Sequence, residues 1–211
     1  MRSYGQYCAL ARALDVIGDR WTLLIVRELL SQQPCRYTDL RSGLPGIASN
    51  LLVERLRELE EAGIVSREAA PPPVATTLLR LTPRGEELRP VLEAIGRWGR
   101  PLLQDADPDA AFRSHWLVVP LEFQLRDHAP EGPPVTIEVR TGEQPMLVEA
   151  AGGEVRVRPG SSPAPDATVS GDPAVVLGFL VGGLDFDTAR RRGLEFEGDV
   201  SAVRRVQPDP V

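Results

Sequence analysis

Two polar residues at the start of one predicted helix have the chemistry needed to recognise a nucleic-acid base. Ser49 and Asn50 stand there, and Arg55 and Arg57 follow within about two turns. The Asn50 amide both donates and accepts a hydrogen bond, so it can pair bidentately with adenine, while Ser49 can meet a base or a phosphate. Either arginine can reach the phosphate backbone. These four side chains predict a helix that contacts DNA.

The two arginines also have a purely structural interpretation. Glutamates lie three or four positions from them, and such opposite charges pair readily along a solvated helix. These acids are Glu54, Glu58 and Glu61. The sequence leaves both interpretations of each arginine open. Asn50 favours a functional role, because an exposed Asn has no helix-propensity advantage at this position.

Two predicted helices must position these side chains. The first, Tyr37–Gly43, ends in a Gly-Leu-Pro-Gly turn that suits a sharp change of direction. The second, Ala48–Gly63, ends in a glycine suited to a left-handed C-terminal cap. Its apolar residues recur at three- and four-residue steps and form one buried stripe. They are Leu52, Leu56 and Leu59. This is the outline of a helix-turn-helix.

An extended region follows the second helix. Ile64–Ser66 and Leu78–Leu81 are predicted as paired strands, and the loop Glu68–Thr77 between them carries three consecutive prolines. Prolines stiffen a loop toward polyproline geometry, as expected of a projecting wing. Several residues here and in the first helix are candidate phosphate or minor-groove contacts, which position a protein without reading sequence. These are Arg36, Tyr37, Arg41, Thr76 and Thr77.

Further helices flank this region on both sides. Tyr7–Ile17 is predicted as one helix, and Asp19 is suited to cap a second, largely apolar helix, Arg20–Leu30. Downstream, the long helix Thr82–Leu103 begins with the pattern of a capping box. Its apolar stripe is too long for one small domain to bury. We therefore expect part of it, with the first helix, to form a homodimer interface.

The net charge of −6 is unevenly distributed along the 211 residues. Residues up to Asp105 include 14 Arg and 13 acids, whereas the remainder include 10 Arg and 17 acids. Phosphates repel the acidic half, so any DNA binding belongs to the first half. Neither a membrane-spanning apolar run nor a secretion signal is present, so we expect no membrane partner and a cytoplasmic location.

No metal, cofactor or catalytic site is predicted. Cys8 and Cys35 lack zinc-site spacing, and His115 and His128 lack a second set of ligands. The sequence contains no GxSxG motif, Walker loop or dinucleotide fingerprint. An enzyme is therefore not expected.

The first half of the chain resembles the HxlR family of bacterial transcriptional regulators in several separate motifs. These are LDVIGDRWTLLIVRELL, RYTDLRSGLPGIASNLLVERLRELEEAGIVSR and LRLTPRGEELRPVLEAIGRWG. The resemblance implies a dimeric winged helix-turn-helix that binds operator DNA and usually represses transcription. Two positions depart from many members: Asn50 replaces a basic residue, and Leu79 replaces an aromatic residue of the second wing strand.

The same resemblance draws attention to Cys8. Some members of the family use a cysteine near this N-terminal helix to sense oxidants or electrophiles through its thiolate. The alternative is a packed and inert thiol, which is the usual state of a cysteine within a helix.

The second half is predicted as a separate, smaller α+β domain. A linker, Gln104–Asp109, separates domain 1–105 from domain 110–211. An apolar segment, Trp116–Leu125, predicts a helix with a break at Pro120. Alternating strands, a Gly-Gly hairpin turn and Asp-capped helices follow. In chain order they are the strands Val135–Arg140, Met146–Ala150, Glu154–Arg158 and Asp166–Ser170, the helices Asp172–Val181 and Asp185–Arg192, the strand Leu194–Glu197 and the helix Asp199–Val206.

Part of this domain resembles sterol-carrier-protein-like domains, which are α+β folds with an apolar tunnel. The similar segment is TVSGDPAVVLGFLVGGLDFDTARRRGLEFEGDVSAVRRV. The resemblance implies either a pocket for a small hydrophobic effector or an appendage that stabilises a dimer. The candidate pocket residues are Trp116, Phe123, Phe179 and Leu180.

The function predicted from the sequence is that of a homodimeric, DNA-binding repressor of transcription, with double-stranded DNA as its partner. The alternative is a carrier or sensor of a small hydrophobic ligand whose N-terminal domain serves protein contacts. Salt-dependent duplex binding separates the two, because it is expected only of the DNA-binding protein.

Overall fold

The computed structural model describes residues 3–70, 76–105, 107 and 109–208. The chain forms two compact units, a first unit, Met1–Ala111, and a second unit, Phe112–Val211. Both contain helices and strands, so the predicted mixed α and β architecture is confirmed. No helix within the described ranges is both long enough and apolar enough to span a membrane.

Four helices precede the wing in the first unit. They are α1 Ala9–Ile17, α2 Thr22–Gln32, α3 Tyr37–Ser42 and α4 Ser49–Glu61. The predicted stripe of α4 is buried, since none of its three leucines is more than 2% exposed. The helix ends two residues before the predicted boundary, and Gly63 follows with a φ of 69°. This conformation lets the Ile64 N–H donate to the Leu59 carbonyl over 2.9 Å and close the helix.

The start of α2 differs from the prediction that Asp19 caps it. The helix begins at Thr22, and Trp21 before it has a left-handed backbone with a φ of 80°. The Asp19 carbonyl, rather than its side chain, accepts the Thr22 N–H over 3.2 Å. The carboxylate instead lies 2.7 Å from Arg55 of α4. Asp19 therefore makes a tertiary contact, which local capping preferences do not reveal.

A three-stranded antiparallel sheet with the order β1-β3-β2 underlies the wing. Its strands are β1 Cys35–Arg36, β2 Val65–Ala69 and β3 Thr77–Leu81. The sequence prediction missed β1, because two residues beside a proline show no alternating pattern. Leu79 and Leu78 of β3 are the partners of its two residues.

The predicted wing loop, Glu68–Thr77, is too long at both ends. Glu68 and Ala69 continue β2, and Ala69 pairs with Thr77 across the ladder. The strands are longer because backbone pairing does not require the apolar residues from which a strand is predicted. The three prolines, at positions 71–73, lie outside the described residues.

The predicted long helix Thr82–Leu103 is divided. It consists of α5 Pro83–Glu86, α6 Arg89–Gly99 and a 3₁₀ helix, Arg100–Asp105. Thr82 caps α5 as predicted, because its hydroxyl oxygen accepts the Gly85 N–H over 3.1 Å. Pro90 explains the division, since it has no N–H to donate to the Glu86 carbonyl. The Glu86 carboxylate accepts a hydrogen bond from the Gln33 side-chain amide, rather than one from the Thr82 backbone N–H that would complete a capping box.

The second unit contains a five-stranded sheet with the order β6-β5-β4-β7-β8. Only the β4–β7 pair is parallel among these neighbours. A 3₁₀ helix, Ser114–Leu117, precedes the first α-helix. The elements are α7 Val118–Gln124, β4 Val135–Arg140, β5 Met146–Ala151, β6 Glu154–Pro159, β7 Ala167–Ser170, α8 Pro173–Leu180, α9 Phe186–Arg191, β8 Glu195–Gly198 and α10 Val200–Val206. From β4 onward, each end lies within one residue of its predicted position.

Local signals explain this agreement. Gly152 and Gly153 both have positive φ, as a two-residue hairpin turn between β5 and β6 requires. Three aspartates cap the helices that follow them, and each carboxylate accepts a backbone N–H of the first turn. These are Asp172, Asp185 and Asp199, with donor distances of 2.9, 2.8 and 2.8 Å.

The core of the second unit combines side chains from the sheet with side chains from all four of its described α-helices. Members from five different elements are fully buried. These include Leu121, Ile137, Val176, Ala189 and Val203. The sheet and the helices therefore share one continuous apolar core.

Candidate nucleic-acid interface

The start of α4 presents its polar side chains to solvent. Ser49 and Asn50 are both exposed, whereas the leucine stripe of the same helix is buried. The Tyr37 hydroxyl donates to the Ser49 carbonyl over 3.2 Å, so α3 is connected to the first turn of α4. This leaves the Asn50 amide accessible on a helix start that other residues hold in place.

Two exposed guanidinium groups accompany α3. Among the residues that the structure describes, neither Arg36 nor Arg41 forms an ion pair. The nearby Asp39 carboxylate accepts a hydrogen bond from the Arg36 backbone N–H over 3.1 Å, so it caps the start of α3. Uncompensated guanidinium groups on an exposed surface are well suited to phosphate.

The two arginines of α4 have different environments. Arg57 is 67% exposed and lies 3.6 Å from Glu61, a weak solvated pair that leaves it available to a phosphate. The Arg55 side chain is only 14% exposed, and its Nη1 contacts both Asp19 and Glu58. The ion-pair interpretation therefore describes Arg55. The guanidinium is turned toward the protein in this structure, and the DNA contact of Arg55 stays a prediction.

Sequence reasoning missed the pairing of Arg55 with Asp19. The two residues are 36 positions apart, and no helical or strand period relates them. The only signal was an Asp between two helices, which local rules explain as a cap. Tertiary ion pairs of this kind depend on how the helices cross, which a single sequence does not specify.

The described part of the wing offers hydroxyl groups rather than free cations. Thr77 is exposed, and Thr76 is half-buried with its carbonyl accepting the Ala70 N–H over 2.8 Å. Two wing arginines are already paired with carboxylates over 2.6 Å. The pairs are Arg67 with Glu60 and Arg80 with Glu68.

An apolar stripe on α6 faces solvent. Val91, Ile95 and Trp98 occupy one side of the helix and are 37%, 47% and 77% exposed, and no residue of α6 is buried. On α1, Leu10 and Leu14 are also exposed. A contiguous exposed apolar stripe is typical of an interaction surface.

The two cysteine thiols differ in access. Cys8 is exposed, immediately before α1, whereas Cys35 is buried in β1. Burial, with the nearby charges of Asp39 and Glu28, raises the pKa of the Cys35 thiol to about 12. The reactive thiolate is therefore scarce at Cys35 near neutral pH.

Two of the predicted pocket residues belong to the core. Phe179 and Leu180 are 3% and 0% exposed, and the Phe179 ring packs 5.8 Å from that of Phe186. Both side chains pack in the core of the second unit in this structure, and their role in lining a ligand pocket stays a prediction. Trp116 is half-buried, with its ring edge-on to Phe112 at 6.4 Å, and Phe123 is also half-buried.

No group of three His, Cys, Asp or Glu side chains is placed to hold a metal ion in the part of the chain that the structure describes.

The packed helices, the exposed start of α4 and the adjoining wing define a winged helix-turn-helix protein. The HxlR-like helix-turn-helix family model matches residues 16–107. The chain is 36% identical over 87 residues to the HTH-type transcriptional regulator YvaP of Bacillus subtilis (strain 168), covering 41% of this chain and 80% of YvaP. It is 35% identical over 100 residues to the HTH-type transcriptional regulator sll1512 of Synechocystis, covering 47% of this chain and 73% of sll1512. The chain belongs to the HxlR-like helix-turn-helix family.

Among solved structures, the chain is similar to the reduced form of the transcriptional regulator YodB from B. subtilis. The two are 29% identical with a TM-score of 0.42, covering 48% of this chain and all of the YodB chain. The family match ends at residue 107, within the first unit.

Proposed function

We propose that this protein is a transcriptional repressor that binds operator DNA as a homodimer, with the start of α4 in the major groove of each half-site. The observation that carries this proposal is the exposed Asn50 at the start of α4 in a chain whose relatives are transcriptional regulators. An Asn amide fits the N6 and N7 edge of adenine. Ser49 stands beside it and meets a base or a phosphate.

The residues around Asn50 supply the contacts to the DNA backbone. Arg36, Arg41 and Arg57 are exposed cations, and each removes a counterion from the DNA when it meets a phosphate. Tyr37, Thr76 and Thr77 add hydroxyl contacts. Base recognition then rests on a neutral amide, and affinity rests on the surrounding arginines.

The exposed stripes of α1 and α6 support the homodimer. Burying them against a second copy removes apolar surface from water at about 25 cal/mol per Å². A two-fold dimer places its two α4 helices in successive major grooves, with half-sites about 34 Å apart.

A gel-shift titration with the DNA upstream of the protein's own gene tests this function. Asn50→Ala should weaken binding by at least about tenfold, because a bidentate base contact is worth about 1–3 kcal/mol. Ser49→Ala removes a single hydroxyl contact and should weaken binding by a smaller factor. Ser161→Ala, an exposed serine of the second unit, should bind as the wild type does. Unchanged affinity in both α4 variants would place the groove contact elsewhere.

The direction of regulation needs a reporter. A promoter fused to a fluorescent protein should be repressed by the wild type and released by Asn50→Ala. Stronger expression with the wild type than without it would instead indicate an activator.

For the second unit we propose a sterol-carrier-like fold that binds a small hydrophobic effector. Its five-stranded sheet, its Asp-capped helices and its apolar core support this proposal. Mass spectrometry of an organic extract of the native protein should identify a bound apolar molecule, and adding it should change DNA affinity. An extract without ligand would favour a role in stabilising the dimer. A bound lipid without DNA affinity at low salt would favour the carrier function.

A further inference from the structure

The junction between α1 and α2 contacts the helix-turn-helix at Asp19 and approaches it at Trp21. Asp19 Oδ2 lies 2.7 Å from Arg55 Nη1 on α4. The Trp21 ring approaches the α3–α4 turn, where a Cβ added to Gly46 would lie 3.8 Å from Cη2 of the indole. The residues Asp19–Trp21 thus contact the body of α4 and lie close to the turn that leads into it.

The backbone of this junction is held in an uncommon conformation. Trp21 has a φ of 80°, a left-handed conformation that is strained for a bulky residue and persists only where surrounding contacts require it. The conformation sends the indole toward the turn and leaves Asp19 beside Arg55. Asp19 is therefore held against α4, and the Trp21 side chain is held close to the α3–α4 turn.

Arg55 is bound on the protein side of α4. Its Nη1 also contacts Glu58, one turn further along the helix. Its Nε is buried without a hydrogen-bond partner among the described residues. A guanidinium that reached a phosphate would have to leave both carboxylates and expose this buried atom.

We propose that Asp19 and Arg55 are positioning residues, which fix the orientation of α4 relative to the α1–α2 junction and thereby raise DNA affinity without touching DNA. The proposal rests on the proposed DNA binding. The buried stripe of α4 holds the helix against the core, and the ion pair resists rotation about the helix axis. A rotation of one residue, about 100°, would carry Asn50 away from the base edges.

The sign of one substitution distinguishes positioning from direct contact. Asp19→Asn removes a negative charge from the first unit, so electrostatics alone predicts tighter binding to the DNA polyanion. If Asp19 positions α4, the same substitution weakens binding, because the pair is lost.

The experiment measures operator affinity at several salt concentrations for the full-length protein. The variants are Asp19→Asn, Arg55→Gln, their double variant and Asp19→Glu, with Arg41→Gln as a direct-contact comparison. We expect about fivefold weaker binding for each single pair variant and no further loss in the double variant, as for coupled residues. Asp19→Glu keeps the carboxylate and should remain within about twofold of the wild type.

The salt dependence supplies the second signature. Arg41→Gln should reduce the slope of log K against log salt by about 2, one phosphate contact in each half-site of the dimer, whereas Arg55→Gln should leave it unchanged. Tighter binding by Asp19→Asn, or a reduced slope for Arg55→Gln, overturns the inference.

Two controls separate a positioning role from a simple loss of folded protein. Each affinity is calculated from the concentration of active protein, and the thermal midpoint of each variant is measured. If the pair serves only to stabilise the fold, its variants will contain less active protein, but their corrected affinity will equal that of the wild type. That result also overturns the inference. A wild type that binds no operator at low salt rejects the proposed function itself, whereas a binding wild type with unaffected pair variants rejects only the positioning role.

Discussion

The two units of this protein differ in how many of their large apolar side chains are exposed to solvent. Among the described residues, every exposed large hydrophobic side chain lies in the first unit, from Tyr4 near the start to Leu103 at its end. The second unit buries its large apolar side chains wholly or in part. The difference supports the proposed dimer interface on the first unit, whereas the second unit has no comparable apolar surface among its described residues.

Some arginines of the two units also differ in their partners. In the first unit, Arg36 and Arg41 face solvent without ion pairs in the described structure. In the second unit, arginines hold buried carboxylates in place. Arg205 binds Asp127 over 2.8 Å, and Arg140 binds the buried Glu138 over 2.7 Å. The first unit thus leaves these two arginines without ion pairs, although it pairs others such as Arg55 and Arg67. The second unit uses several arginines to hold its own carboxylates.

The largest effect is expected when charged residues replace apolar ones in the exposed stripe of α6. The double variant Ile95→Glu, Trp98→Glu should be monomeric and should bind its operator about a thousandfold more weakly, because the two half-sites are no longer linked. Sedimentation and gel shift measure the two effects. Val53→Glu is the matched control, since Val53 is an exposed apolar residue of α4. It should weaken DNA binding and leave the dimer intact, and a dimeric α6 variant would contradict the assignment.

Removing core volume tests whether the second unit is self-contained. Leu121→Ala should lower the free energy of unfolding by about 3 kcal/mol, because Leu121 is fully buried in the shared core. Chemical denaturation measures this loss. DNA affinity well below the unfolding transition should not change. An equal loss of affinity would show that the units depend on one another.

The buried ion pair of the second unit predicts a dependence on pH. Hydrogen bonds from Arg205, then from the Ala129 and Gly153 N–H groups, hold the pKa of Asp127 well below its usual range. The stabilisation is therefore present above about pH 4 and is lost as the pH falls further. Asp127→Asn should lower the thermal midpoint by several degrees at pH 7, with a gap that narrows below pH 4.

The control for this prediction is Asp187→Asn, an exposed carboxylate at the start of α9. It should change the midpoint little at any pH. A gap for Asp127→Asn that stays constant from pH 7 to pH 3 would show that the carboxylate charge is not responsible.

The smallest expected effect concerns the two thiols within the first unit. With a pKa of about 12, only about one Cys35 thiol in ten thousand is ionised at pH 8. A disulfide reagent should therefore titrate one thiol quickly in the native protein and two after denaturation. Cys8→Ser should abolish the fast reaction, and any response of DNA binding to oxidants should disappear with it. A response that survives this substitution would exclude Cys8 as a sensor.

Local signals made much of this fold predictable. The glycine after α4 and the Gly152–Gly153 turn require left-handed backbone that glycine adopts freely, so their positions fix element boundaries. The aspartate caps and the alternation of β4 act in the same way. These features depend on neighbours within a few residues, which the sequence displays directly.

The remaining features depend on tertiary contacts. The pairing of β1 with β3 joins segments more than 40 residues apart, and neither segment shows a sign of the other. Phe179 and Leu180 have the composition of a pocket lining, but the fold packs them in the core. For the interface, the exposed polar start of α4 was predictable, whereas the burial of Arg55 depends on how α4 lies against the α1–α2 junction.

The exposure of Trp98 gives the protein an intrinsic optical probe. Of the three tryptophans, Trp98 is 77% exposed, whereas Trp21 and Trp116 are half-buried. An indole in water emits at longer wavelength than one in an apolar contact. Dilution of the native protein should therefore shift its emission to the red as the α6 surfaces separate, and Trp98→Phe should remove most of that shift. The proposed equilibrium between monomer and dimer can then be tested without an added dye.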